Sequence, residues 1–180
     1  PKVFGKQFHT IFSGGAYLNP AYIKTFKKYG ITILQGYGMT ECAPVISTNL
    51  SWDTKEGSVG KLLPNCEAKT VNEELWVRGT SVMQAYYHMP KETEESLEDG
   101  WLKTGDLGYV DDDGFVFLTG RKKNLIITPN GENISPEEIE NKLGENRLVQ
   151  EVLVRDSEGV IEAEIFPDYE YAAKKRIKDM

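Results

Sequence analysis

The stretch Ile31-Thr32-Ile33-Leu34-Gln35-Gly36-Tyr37-Gly38-Met39-Thr40-Glu41 decides how this chain is read. Ile31 to Leu34 is short, apolar and partly β-branched, a strand signal, and two glycines with a polar tail follow at once, a loop signal. Upstream, Phe8 to Ser13 has the same texture and runs into Gly14-Gly15-Ala16. Between them Asn19 precedes Pro20, an N-cap with Pro at the first helical position. Tyr22, Ile23, Phe26 and Tyr29 then recur at helical spacing, and Gly30 supplies the stop. Two strands joined by one helix predict a parallel crossover, and in such sheets ligands gather at the carboxyl ends of the strands. Both glycine-bearing loops fall at such ends. Gly36 and Gly38 let a backbone approach a ligand closely, Tyr37 offers a flat face to a base, Thr40 a hydroxyl to a phosphate oxygen and Glu41 a carboxylate to Mg²⁺. The same residues also read as a strand-ending turn with an exposed Tyr and a solvated Glu.

Working outward, 39% hydrophobic and 27% charged residues in 180 give enough apolar material for a core and exclude a wholly disordered tail. No apolar run approaches the roughly 20 residues a bilayer span needs. The chain opens Pro1-Lys2-Val3 without Met, which suggests a piece of something larger. Cys42 and Cys66 form neither a disulfide framework nor a metal-ligand spacing, so a reducing compartment is expected, with cytoplasmic localisation and membrane contact at most peripheral. Net charge of -7 with pI near 5.0 argues against a nucleic-acid partner, which needs clustered Lys and Arg.

From Gly57 to Thr119 the texture turns to short strands: Lys69-Thr70-Val71, Glu74 to Arg78, and Phe115 to Thr119, with Asp111-Asp112-Asp113-Gly114 as a turn and Lys91 to Leu97 as a brief solvated helix. Asp106, in Gly100-Trp101-Leu102-Lys103-Thr104-Gly105-Asp106, could accept both hydroxyls of a ribose, or simply sit in a turn before Tyr109. Arg121-Lys122-Lys123 reads as a basic link in which Arg121 suits a ribose or phosphate oxygen, or as a solvated joint. Ser135-Pro136-Glu137-Glu138 is a capping-box pattern opening a helix with Ile139 and Leu143 inward. Val149 to Val154 and Val160 to Phe166 form a hairpin around Asp156-Ser157-Glu158-Gly159, and Tyr169 to Met180 is helical in pattern. Its basic end, Lys174-Lys175-Arg176-Lys178, reads as a solvated face. His9 and His88 lack a partner pattern and take no role.

Taken together, Gly14-Gly15-Ala16, Tyr37-Gly38-Met39-Thr40-Glu41, Glu74-Leu75-Trp76-Val77-Arg78-Gly79, Thr104-Gly105-Asp106 and Gly120-Arg121-Lys122-Lys123 with Asn133-Ile134-Ser135-Pro136 resemble, in this order, the adenylate-forming enzymes. These are the acyl-CoA synthetases, luciferases and peptide-synthetase adenylation domains. Asn130-Gly131-Glu132-Asn133-Ile134 looks most like the long-chain fatty acyl-CoA synthetases. The resemblance implies an α/β plus α+β architecture. Residues 1–119 would be the end of a large α/β N-terminal domain, with an α/β segment over 1–56 and a β-rich, barrel-like region over 57–119. Residues 120–180 would be the hinge and the start of a small α+β domain. It implies ATP, Mg²⁺ and CoA as ligands and a carboxylic acid, most simply a fatty acid, as substrate: the acid attacks the α-phosphate, and a thiol then displaces AMP.

By that resemblance Gly14, Gly15 and Ala16 border the adenine and Tyr37 stacks on it, while Gln35, Gly36, Gly38, Met39 and Thr40 line the nucleotide and acyl pocket. Gly38 leaves room for the acyl chain, Thr40 holds the α-phosphate and Glu41 ligates Mg²⁺. Asp106, assisted by Arg121, grips the ribose; Lys123 is the hinge; Gly131 lets the CoA arm pass. A fixed set of donors and a cation suits charge building on phosphoryl oxygens. There are departures. The family's phosphate loop is expected before residue 1 and its adenylation lysine beyond Met180, so residues 1–180 alone are expected to be inactive and, with part of a sheet missing, to expose apolar surface and self-associate. Asn133 stands where several relatives carry a phosphate-contacting Arg, and Tyr17 where a Pro is common. Two rival readings are an adenylation domain that loads a carrier-protein thiol and a non-catalytic nucleotide-binding module of the same fold.

Overall fold

The computed structural model describes residues 5, 7–128, 130–157 and 159–175. Pro1-Lys2-Val3, Glu158 of the second hairpin turn, and Arg176 and Lys178 of the basic end lie outside the described residues. The chain divides into two compact units, residues 1–118 and 119–180.

In the first unit, β1 (Thr10–Ser13) and β2 (Thr32–Gly38) pair in parallel, Thr10 opposite Thr32 and Ser13 opposite Gln35, across the helix α1 (Pro20–Lys28). Asn19 caps α1 by accepting a hydrogen bond from the Ala21 N–H at 2.8 Å, Pro20 opens it, and Gly30, at φ +75°, follows its end. Only Ile23 and Phe26 of its periodic residues are half-buried; Tyr22 and Tyr29 are exposed. β3 (Val45–Thr48) and β4 (Lys61–Leu62) complete a four-stranded sheet in the order β1-β2-β3-β4.

A second, antiparallel sheet follows. β5 (Cys66–Val71) and β6 (Glu74–Gly79) form a hairpin through Asn72 and Glu73, both at positive φ as a tight primed turn requires. The solvated helix α2 (Pro90–Ser96) leads through β7 (Leu97–Glu98) to the long β8 (Trp101–Val110), which joins β6 and β7. At the Asp111 turn the carboxylate accepts the N–H groups of Asp113 (3.1 Å) and Phe115 (2.8 Å), returning the chain into β9 (Val116–Arg121) beside β8. The core gathers Tyr37, Cys42, Ile46, Leu75, Val77, Leu102 and Val116.

The second unit holds a short hairpin of β10 (Ile126–Ile127) and β11 (Asn133–Ile134), then α3 (Pro136–Gly144), the long antiparallel pair β12 (Val149–Ser157) and β13 (Val160–Pro167), and α4 (Tyr169–Lys175). Ile139 and Leu143 are half-buried, and α3 packs against β12. Ser135 occupies the cap position of α3, but the capping box does not form. Its hydroxyl lies 3.2 Å from the Thr119 carbonyl and 3.0 Å from the Glu137 carboxylate, so the start of the helix is tied to β9 instead. Among the described residues, no helix is long and apolar enough to cross a membrane.

Candidate functional site

The decisive glycines lie in a strand, not a loop. β2 runs on through Gly38, with Gly36 opposite Thr48, Tyr37 opposite Ser47 and Gly38 opposite Val45. The correction has a steric reason. A Cβ on Gly38 would stand 1.9 Å from the Pro44 carbonyl oxygen, and one on Gly36 3.2 Å from that of Ser47, so these glycines let β3 close onto β2. Gly38 therefore makes room for this chain's own backbone first. The Gly14-Gly15-Ala16 segment leaves β1 directly beside this strand: a Cβ on Gly14 would lie 3.1 Å from the Gly36 carbonyl, while Gly15 sits at φ +84° with open space around it.

After Gly38 the chain makes one tight turn of 3-10 helix, Thr40–Cys42. The Met39 N–H donates to the Pro44 carbonyl (2.8 Å), the Cys42 N–H to that of Met39 (2.9 Å), and Ala43 turns back at φ 51°. Cys42 is fully buried and anchors the turn, which leaves Thr40 exposed and Glu41 half-buried at the strand's carboxyl end. Burial pushes the Cys42 thiol up to about 11, so it stays a packed, neutral side chain.

Tyr37 and Asp106, 69 residues apart, meet here: the phenol donates to the Asp106 carboxylate at 2.7 Å. Both are nearly closed to solvent, at 8% and 5% exposure, so the exposed-Tyr reading fails: the ring packs into the core and its hydroxyl faces the carboxylate. Burial first, then the charge and hydrogen bond of Asp106, hold the phenol far above its ordinary range, so it remains a donor. The backbone before Asp106 is fixed as well. The Thr104 hydroxyl donates to the Leu75 carbonyl (2.6 Å) and accepts the Asp106 N–H (3.1 Å), and buried Glu74 accepts the Gly105 N–H (2.9 Å), with Gly105 at φ +71°.

Glu41 has a partner that sequence reasoning missed. The Tyr86 hydroxyl donates to its carboxylate at 2.7 Å, and the Glu41 carbonyl accepts the Met83 N–H at 2.7 Å. Tyr86 lies in the connection after β6, and nothing in its local pattern separates it from neighbouring Tyr87. Only the long-range fold brings it to position 41. Among the described residues no three His, Cys, Asp or Glu side chains converge on a metal position. The Glu41 carboxylate is a hard oxygen donor of the kind that fits Mg²⁺ when phosphate oxygens supply other ligands.

The remaining candidates belong to the second unit. Arg121 ends β9, and Lys123 is exposed in the single 3-10 turn Lys122–Asn124. Gly131 lies in the β10–β11 turn at φ +81° with nothing near its missing Cβ, and its N–H donates to the Thr128 carbonyl at 2.8 Å. The Thr128 hydroxyl accepts the Glu132 N–H at 3.1 Å, and Asn133 is exposed.

The family described as AMP-binding enzyme matches residues 2–87. A long-chain-fatty-acid–CoA ligase of Mycobacterium bovis is 40% identical over 160 residues, 88% of this chain and 27% of that protein. A 2-succinylbenzoate–CoA ligase of Listeria monocytogenes is 41% identical over 160 residues, 85% of this chain and 34% of that protein. Among solved structures, o-succinylbenzoate CoA synthetase of Bacillus subtilis in complex with the acyl-adenylate intermediate superimposes with a TM-score of 0.79 at 33% identity, over 94% of this chain and 40% of that one. The same enzyme in complex with ATP and magnesium ion gives 0.78 at 33% identity, over 95% of this chain and 40% of that one. The chain thus spans about a quarter to a third of the length of the curated relatives it matches. Motif order, topology and these likenesses agree, and the chain belongs to the AMP-binding, adenylate-forming enzyme family.

Proposed function

We propose that this chain supplies one wall of the nucleotide site, and the hinge, of an acid–CoA ligase that activates a carboxylic acid as its adenylate and passes it to CoA. The observation that carries the reading is the buried Tyr37–Asp106 hydrogen bond, which joins the carboxyl end of β2 to β8 within the first unit. A carboxylate held in that way keeps acceptor capacity for ribose hydroxyls, since each oxygen has two lone pairs. Thr40 stands exposed to donate to an α-phosphate oxygen, and the strand glycines and Gly14-Gly15-Ala16 border the nucleotide. Glu41 is the residue to hold Mg²⁺, which when bound neutralises charge on the phosphoryl oxygens. No general base is required, because a carboxylate is already a nucleophile at neutral pH. Arg121 assists at the nucleotide, Lys123 serves as the pivot and Gly131 as the passage for the CoA arm.

For the acid itself we favour a long-chain fatty acid, on the Asn130–Ile134 pattern and the 40% identity to a ligase of that name. The equal likeness to 2-succinylbenzoate–CoA ligases supports a second reading, a bulky aromatic acid. The test is AMP release by the full-length protein given ATP, Mg²⁺, CoA and, in turn, palmitate, octanoate, o-succinylbenzoate and a set of amino acids. Preference for palmitate supports the first reading and preference for o-succinylbenzoate the second. Preference for an amino acid, or no AMP with any acid, overturns both.

A further inference from the structure

We infer that Tyr86 is a positioning residue for the metal: by holding one oxygen of Glu41, it fixes the carboxylate that would hold the cation. This rests on the proposal that Glu41 holds Mg²⁺. The geometry is specific. The Tyr86 hydroxyl donates to Glu41 Oε1 at 2.7 Å, across 45 residues of sequence. The Tyr86 backbone is itself tied down: its N–H donates to the Thr93 hydroxyl at 3.0 Å, and that hydroxyl donates to the Met89 carbonyl at 2.7 Å at the start of α2. Met83, in the same connection, donates its N–H to the Glu41 carbonyl at 2.7 Å, so side chain and backbone of Glu41 are gripped by one segment. A free glutamate on a turn samples several rotamers; one with an oxygen already committed presents a single geometry. Groups that orient a metal ligand in this way are worth about ten- to a hundredfold in metal affinity.

The test uses the full-length protein saturated with the non-hydrolysable analogue α,β-methylene-ATP, into which Mn²⁺ is titrated as the probe and free Mn²⁺ is read by electron paramagnetic resonance. Affinity for the analogue without metal is measured alongside. Tyr86→Phe is expected to weaken Mn²⁺ binding about tenfold, with metal-free analogue affinity unchanged, and to add nothing further in a Glu41→Gln background. Thr93→Ala, which releases the Tyr86 backbone, is expected to weaken Mn²⁺ in the same direction by less; it carries the test alone if Tyr86→Phe does not fold. Mn²⁺ affinity within twofold of wild type in Tyr86→Phe, beside a loss in Glu41→Gln, overturns the role of Tyr86 and leaves Glu41 as the metal residue. No loss in Glu41→Gln overturns the underlying assignment. A parallel fall in metal-free analogue affinity assigns Tyr86 to general shape and likewise overturns the inference.

Discussion

Two glycines, Gly38 and Gly131, stand in motifs that look alike on paper, yet the structure uses them in opposite ways. Gly38 is enclosed: its missing Cβ is the space through which Pro44 and Val45 approach β2. Gly131 is open, with no neighbour near its missing Cβ, and its φ of +81° is one that side chains rarely adopt. The difference extends to their surroundings. Tyr37, Cys42 and Asp106 of the first unit are buried, while Lys123 and Asn133 of the second are exposed on short elements. In the first unit, Tyr37 is a core residue as well as a candidate site residue, and its partner Asp106 is buried beside it. In the second, the candidates Arg121, Lys123 and Gly131 are exposed, at a strand end and on turns.

The sharpest way to break this contrast is Gly38→Ala. With 1.9 Å to a backbone oxygen, β3 must separate from β2, and the loss should be about 3 kcal/mol or more, read as a lowered urea midpoint or failure to accumulate folded protein. A midpoint near wild type would mean that the β2–β3 contact is not what the glycine protects. Tyr37→Phe comes next. It keeps the ring but takes a donor from a buried carboxylate, and about 2 kcal/mol should be lost. Gly131→Ala should cost only about 1 kcal/mol, the left-handed backbone penalty, because no atom is displaced. A cost equal to that of Gly38→Ala would erase the distinction between the two regions.

The smallest effect sharpens the contrast at the surface of the first unit. Lys55 reaches Asp111 at 2.6 Å and Asp113 at 2.7 Å. Hydrogen bonding to Lys55 lowers the Asp111 carboxyl below its ordinary value, and bonding to Asp111 and then Asp113 raises the Lys55 ammonium above its own. The Asp111 contribution is therefore complete above the unfolded value of about 3.9 and fades as pH falls toward the depressed one. The Lys55 contribution is complete below about 10.4 and fades as pH rises beyond it. Lys55→Met should lower stability slightly between those limits, converge with wild type at both extremes, and matter less in high salt.

Much of this was legible in the sequence, for identifiable reasons. Asn19-Pro20 capped α1, the Asp111 turn formed, and the parallel β1–β2 pair followed from one helix between two apolar runs, because each signal is local. The meeting of residues 37 and 106 needed the order of motifs, since no local pattern spans 69 residues. Three features stayed hidden. Gly36 and Gly38 read as loop because glycine is a breaker by default, and only the approach of β3 makes it a strand residue. Ser135 matched a capping box, yet its hydroxyl met a carbonyl from β9, which lies beyond a local pattern. Tyr86 carried no signal, because its partner is chosen by the fold.

The central claim is that Asp106 reads the ribose of a bound adenosine phosphate. It is tested most directly by titrating AMP and 2′,3′-dideoxy-AMP calorimetrically into the full-length protein and its Asp106→Asn variant. The account predicts that wild type prefers AMP by about tenfold or more and that Asp106→Asn, still folded, binds both nucleotides equally and weakly. An undiminished preference for AMP in Asp106→Asn would contradict it.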